Sequence, residues 1–209
     1  VNGEPRFDIL PNQAYDHISS VIPRIKEKPA FLYHGSLALR NAVNRATLLE
    51  LKRKYPCPVF LDVNLRAPWW NREAVLAMIN DAGWLKMNVD ECHALFPNEQ
   101  DLDSFGPVLL ERFDLEAVFI TMGSKGAIAF TRDAAPLTVE PPAQIEVVDT
   151  VGAGDAFSSV LLLGILQDWP LRFTLDRAQE FASEVVGQRG ATLQDHDFYQ
   201  TIVDRWTQQ

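Results

Sequence analysis

The sequence predicts an α/β fold with a mostly parallel central sheet and helices on both faces. Two observations predict it. Short apolar, β-branched runs alternate with longer segments of helical spacing, the order that yields parallel strands joined by helical crossovers. Glycine-containing turns punctuate the segments, and the clearest, Gly152-Ala153-Gly154, stands between an expected strand and a strongly apolar helix.

The elements follow in order. Arg6 to Leu10 is expected as a short strand, Gln13 to Ile22 as a helix, and Ala30 to His34 as a strand closed by Gly35-Ser36. Arg40 to Lys54 has helical spacing, and Pro58 to Leu65 reads as a buried strand. Arg72 to Ala82 is helical, with Gly83 as its stop. Trp84 to Asn88 is a strand, and Val89 to Phe96 is a short helix. Asp103-Ser104 starts a helix that runs to Phe113. Ala117 to Met122 is a strand, residues 123–126 a turn, Ala127 to Thr131 a return strand and Ile145 to Val148 a further strand. Three helices complete the chain: Gly152 to Gln167, Thr174 to Arg189, and Asp195 to Trp206. No repeat, low-complexity tract or linker interrupts them, so residues 1–209 read as a single domain.

Bulk composition narrows the function. Hydrophobic residues at 47% and charged residues at 22% describe a globular chain with a core. A net charge of -9 argues against a nucleic-acid surface, which needs a basic face. It leaves room for a nucleotide, because a local nest of amides can hold phosphate inside an acidic protein. The two cysteines, Cys57 and Cys92, form no metal or disulfide pattern and fit a reducing cytoplasm. The longest apolar run, Val160 to Leu166, is too short to span a bilayer.

The glycine turn carries the chemistry. Backbone amides at a helix N-terminus, together with the helix dipole, favour an anion. Asp155 sits beside them in the first helical turn, where its carboxylate can accept a proton from an attacking hydroxyl. An anion hole and a base at one strand end suit phosphoryl transfer to an alcohol. Gly-Ala-Gly alone also describes an ordinary αβ turn.

The full run Asp149-Thr150-Val151-Gly152-Ala153-Gly154-Asp155 is more specific, and it resembles the Asp-Thr-x-Gly-Ala-Gly-Asp signature of the PfkB (ribokinase-like) carbohydrate kinases. The resemblance implies a ribokinase-like, three-layer α/β/α fold and ATP-dependent phosphorylation of a sugar. Asp155 would be the base and a sugar contact, and the Gly152, Ala153 and Gly154 amides the anion hole. Asn88 and Glu91 match the family's Asn-x-x-Glu motif, which organises Mg2+, its waters and the nucleotide phosphates. Alone, that spacing is also a helix start with a first-turn acid. Thr121, Gly123 and Gly126 resemble the nucleotide-binding turn, and Gly187, Gly190 and Ala191 the loop flanking adenine. Asp149 and Thr150 resemble positions that hold a monovalent cation, K+, in many members.

Asp62-Val63-Asn64-Leu65-Arg66, with Trp70 four residues on, resembles the Asp-x-Asn-x-Arg-x-x-x-Trp pattern of fructokinases and 2-keto-3-deoxygluconate kinases. It implies a phosphate clamp at Arg66 and a substrate contact at Asn64. Residues 34–40 share the fructokinase-like look. Trp69-Trp70 could stack on a sugar, although large aromatics more often pack.

The family's N-terminal Gly-Gly motif, substrate-binding aspartate and small β-sheet lid are not found. The chain begins inside what reads as a strand-and-turn region, so upstream residues and an incomplete lid are expected, as is the homodimer that the lid often forms. The expected function is phosphorylation of fructose, with 2-keto-3-deoxygluconate or another PfkB substrate as the alternative. A non-catalytic nucleotide or sugar sensor is the rival outside enzymes. A nicotinamide-binding Rossmann domain is disfavoured, since no βαβ unit follows the Gly-x-Gly.

Overall fold

The computed structural model describes residues 9–19, 21, 25–99, 101–143, 147–192 and 194–207. The strands are β1 (Leu32–Gly35), β2 (Val59–Asp62), β3 (Trp84–Asn88), β4 (Ala117–Thr121), β5 (Ala127–Thr131) and β6 (Ala134–Val139). The helices are α1 (Ala42–Lys54), α2 (Arg72–Ile79), α3 (Val89–Leu95), α4 (Leu102–Arg112), α5 (Ala153–Leu166), α6 (Leu171–Val186) and α7 (His196–Thr207).

The six strands form one sheet in sequence order. β1 to β4 pair in parallel, with Gly35 beside Asp62, Asp62 beside Lys86 and Asn88 beside Thr121. The links before β5 and β6 are too short for a parallel crossover, so these strands return antiparallel. The expected α/β class and mostly parallel sheet are observed.

Two compact units divide the chain. The described residues of 8–122 and 128–136 form the first, and those of 123–127 and 137–209 the second. In the first unit, alternation along the strands sends Leu61, Val63, Leu85, Met87, Val118 and Ile120 to one face of the sheet. There they meet Val75 and Ile79 of α2, Leu95 of α3, and Phe105 and Leu109 of α4 in one apolar cluster. The alternate positions include Phe60, Asp62, Lys86 and Phe119. Phe60 stacks on Phe119, and Lys86 Nζ donates to both oxygens of Asp62 at 3.1 and 3.0 Å. This ion pair is almost fully buried.

In the second unit, α5 and α6 pack against each other. Arg177 of α6 fastens α7. Its Nη2 donates to the Trp206 carbonyl, and its guanidinium lies over the rings of Trp169, Phe173 and Trp206.

Several boundaries differ from expectation. Of the helix expected over Gln13 to Ile22, the described residues form only a 3-10 turn at Ala14–Asp16; Ser20 and Ile22 lie outside the described residues. The segment is held instead by polar groups of α1. Asn44 Oδ1 accepts from Ile18 N at 2.8 Å, Asn44 Nδ2 donates to the Tyr15 carbonyl at 2.6 Å, and Thr47 Oγ1 donates to the Ile18 carbonyl at 2.8 Å. Of the strand expected over Arg6 to Leu10, residues 6–8 lie outside the described residues, and Ile9 and Leu10 are irregular. Ile145 is likewise outside them, while Val147 and Val148 carry no strand.

α4 starts earlier than expected, because Asp101 rather than Asp103 caps it, accepting from Ser104 N. α2 ends at Ile79, so Gly83 is not its stop; Gly83 N donates to the Val59 carbonyl at the entry to β3. β6 was not expected.

His34, at the end of β1, gives a pH dependence. Its Nδ1 lies 3.2 Å from the Gly35 carbonyl, and its Nε2 is buried with no partner among the described residues. Burial pushes its pKa below the ordinary value. The unfolded chain then binds the proton more readily than the folded one. Stability should therefore fall as the pH drops through the unfolded value of about 6.5. Urea midpoints measured between about pH 7 and pH 5 should decline less steeply in His34→Gln than in the parent.

Candidate active site

The predicted residues fall into two groups, one in each unit. In the first unit they gather at the C-terminal ends of β2, β3 and β4, where ligands collect in open α/β sheets. Asn88 closes β3 and caps α3, its Oδ1 accepting from Glu91 N at 2.8 Å. Glu91 answers with Oε2, which accepts from Asn88 N at 2.9 Å, completing a capping box. Thr121 is the register partner of Asn88.

The sequence did not reveal what the other Glu91 oxygen does. Oε1 accepts from Leu65 N at 2.7 Å, in the loop after β2 that carries Asn64 and Arg66. Asn64 there adopts a left-handed φ of 46°, uncommon for a non-glycine residue. Glu91 is thus a buried clip between two strand ends, and burial raises its pKa. Glu91→Gln would set an amide donor against one of the two N–H groups. The expected loss is about 1–3 kcal/mol of stability, read from urea midpoints. An unchanged midpoint would show that the clip adds nothing to stability.

In the second unit the glycine turn is tied to the 187–191 loop. Asp149 makes the tie: Oδ1 accepts from Val151 N at 3.0 Å and Oδ2 from Gly190 N at 3.1 Å. Gly152 is the N-cap of α5, with φ 87°. A Cβ at Gly152 would lie 2.7 Å from the Ala191 Cα. The residue must therefore be glycine twice over, for its left-handed backbone and for its approach to Ala191. Ala156 N donates to the Gly152 carbonyl at 2.8 Å as α5 begins. Ala153 N reaches the Thr150 carbonyl only at a long 3.4 Å. Gly154 accepts at its carbonyl from Ser158 Oγ. Asp155 is exposed in the first turn of α5, and Thr150 is exposed before it.

Gly187 ends α6 in a right-handed conformation, φ -73°, so it is not a left-handed glycine stop. Gly190, at φ 90°, makes the turn that presents its amide to Asp149. Gly123 and Gly126 both have positive φ and close their turn with Gly126 N donating to the Gly123 carbonyl at 3.0 Å.

The donor set suits some ions better than others. Among the described residues no three acidic, histidine or cysteine side chains form a metal cage. Glu91 has one N–H on each oxygen and keeps a lone pair on each for water. That fits Mg2+, which keeps several waters and leans on substrate phosphates. Asp149 likewise has one N–H on each oxygen and keeps a lone pair on each, which a monovalent cation such as K+ could take. No helix among the described residues is long and apolar enough to cross a membrane.

Comparison with known proteins points to carbohydrate kinases. Fructokinase-2 of Zea mays is 31% identical over 145 residues, which is 65% of this chain and 42% of that protein. The 5-dehydro-2-deoxygluconokinase of Clostridium botulinum (strain Alaska E43 / Type E3) is 24% identical over 178 residues, 80% of this chain and 52% of that protein. The crystal structure of fructokinase from Vibrio cholerae O395, bound to fructose, ADP and calcium ion, matches with a TM-score of 0.72 at 25% identity. It covers 90% of this chain and 65% of its own. The chain spans about half the length of the curated relatives it matches. Residues 16–197 match the model of the pfkB family carbohydrate kinase. The chain belongs to that family.

Proposed function

We propose that residues 1–209 are the nucleotide-binding and catalytic part of an enzyme that transfers the γ-phosphoryl group of ATP to a sugar hydroxyl. The observation that carries this reading is the exposed Asp155 carboxylate in the first turn of α5, three residues after a glycine N-cap fixed against Ala191. Asp155 takes the proton from the attacking hydroxyl. The amides of Gly152, Ala153 and Gly154, at the positive end of α5, hold the charge that develops on the transferring group. Arg66, beyond the end of β2, forks onto phosphate oxygens. Asn64 contacts the sugar. Thr121, Gly123 and Gly126, with Gly187, Gly190 and Ala191, bind the nucleotide.

Mg2+ would be held through water by Glu91 and Asn88, and when bound it would neutralise phosphate charge. Proton abstraction, anion stabilisation and the Arg66 contact belong to this chain's own residues.

Fructose is the substrate we favour. The Asp62-to-Trp70 run supports it, as does the likeness to two fructokinases. A keto-sugar acid is the second reading, supported by the likeness to the 5-dehydro-2-deoxygluconokinase over 80% of this chain. Initial rates of the intact protein on fructose and on 2-keto-3-deoxygluconate, measured side by side, separate the two. A higher kcat/KM on fructose is expected, and the reverse order would transfer the assignment to the sugar acid.

A further inference from the structure

Two stretches go unused by the proposed reaction: the 34–40 run and the Trp69-Trp70 pair. They meet in the first unit, where they help line a cleft of about 330 Å³. Its polar lining is Ser36, Arg40, Arg45 and Asn71, and Trp69 and Trp70 contribute ring surface. The charge is one-sided. Two guanidiniums and no carboxylate line the cleft, in a chain of net charge -9.

Arg40 is built in rather than draped over the surface. Its side chain is 10% exposed. Nε and Nη2 donate to Asp16 at 2.8 and 2.7 Å, and Nη2 also donates to the Leu10 carbonyl. The guanidinium lies 4.4 Å from the Trp69 ring centroid. Nη1 is buried and has no acceptor among the described residues. A buried guanidinium donor without an acceptor is costly, and native structures seldom leave one so. Arg45 stands exposed at the cleft and is held through Nη1, which donates to the Leu39 and Arg40 carbonyls. Asp16 balances Arg40, which leaves Arg45 as the net positive charge of the cleft.

We propose that this cleft binds a small organic anion: a ring body that carries one carboxylate or phosphate. Arg45 and Arg40 take the oxyanion, and the ring lies against Trp69 and Trp70. The site lies apart from the glycine turn in sequence and stands whether or not the proposed reaction does.

The test is a titration of the 15N-labelled protein, read at the two indole N–H signals and assigned with Trp69→Phe and Trp70→Phe. The probes are glucuronate, fructose 6-phosphate, inorganic phosphate and neutral fructose. Saturable shifts are expected with the first two, weaker ones with inorganic phosphate and none with fructose. Arg45→Gln should weaken binding by about tenfold while the remaining spectrum stays in place. If that variant disturbs the fold, Arg45→Lys should bind with intermediate affinity. The proposal is overturned if no anion shifts the indole signals, or if fructose shifts them equally. It is also overturned if the shifts survive Arg45→Gln but vanish in Arg66→Gln, which would place the probe at the phosphate clamp.

Discussion

Asp155→Asn is expected to lower turnover by about 10²–10⁴-fold, the worth of a positioned general base, with ATP affinity nearly unchanged. The substitution is close to isosteric, and the position is exposed, so packing is undisturbed. What it removes is the acceptor for the hydroxyl proton. It also removes a carboxylate from the first turn of α5, a favourable place worth about 0.3–1 kcal/mol. That loss is too small to unfold the protein, so a collapse in rate with the melting temperature lowered by no more than a few degrees would report on chemistry. Turnover that matches the parent would remove Asp155 from the role of base.

The second large effect is expected at Gly152. Alanine there must hold a φ of 87°, which costs an L-residue about 1–2 kcal/mol. Its Cβ would also sit 2.7 Å from the Ala191 Cα, and backbone cannot swing aside as a flexible side chain can. The glycine turn and the 187–191 loop must then separate, and the Asp149 to Gly190 bond must stretch. Both loops are assigned to the nucleotide and its phosphates. Gly152→Ala should therefore weaken ATP binding by about tenfold or more, with turnover falling further. Calorimetry with a non-hydrolysable ATP analogue measures the first effect. Parental affinity would mean that the two loops do not form one nucleotide site.

These predictions rest on features the sequence made legible to different degrees. β2 and β4 were readable because buried parallel strands are largely apolar runs, and β3 because apolar residues flank its single lysine. α3 and α5 were readable from their N-terminal chemistry, an Asn-x-x-Glu box and a glycine cap.

The segment around Ala14–Asp16 was not readable. Its backbone is satisfied by Asn44 and Thr47, buried polar residues of α1 that are remote in sequence. β6 was missed because Ala134, Ala135 and Pro136 are exposed and carry no strand pattern; an edge strand tolerates that proline.

The same division holds at the site. Asp155, Gly152, Asn88 and Glu91 could be named in advance because each sits in a local motif. The Glu91 to Leu65 bond and the Asp149 to Gly190 bond join segments far apart in sequence, and only the fold brings them into contact. Lys86 sits in the middle of β3, and a lysine buried there needs a countercharge, which Asp62 supplies from the neighbouring strand.

The central claim is phosphoryl transfer from ATP to a sugar hydroxyl. The most direct test follows the intact protein with ATP, Mg2+ and fructose by phosphorus NMR. The account predicts a growing phosphomonoester signal matched one for one by ADP, and ADP formation that stops when the sugar is left out. Tight ATP binding with no phosphomonoester on fructose, on 2-keto-3-deoxygluconate or on any other sugar or nucleoside would contradict it.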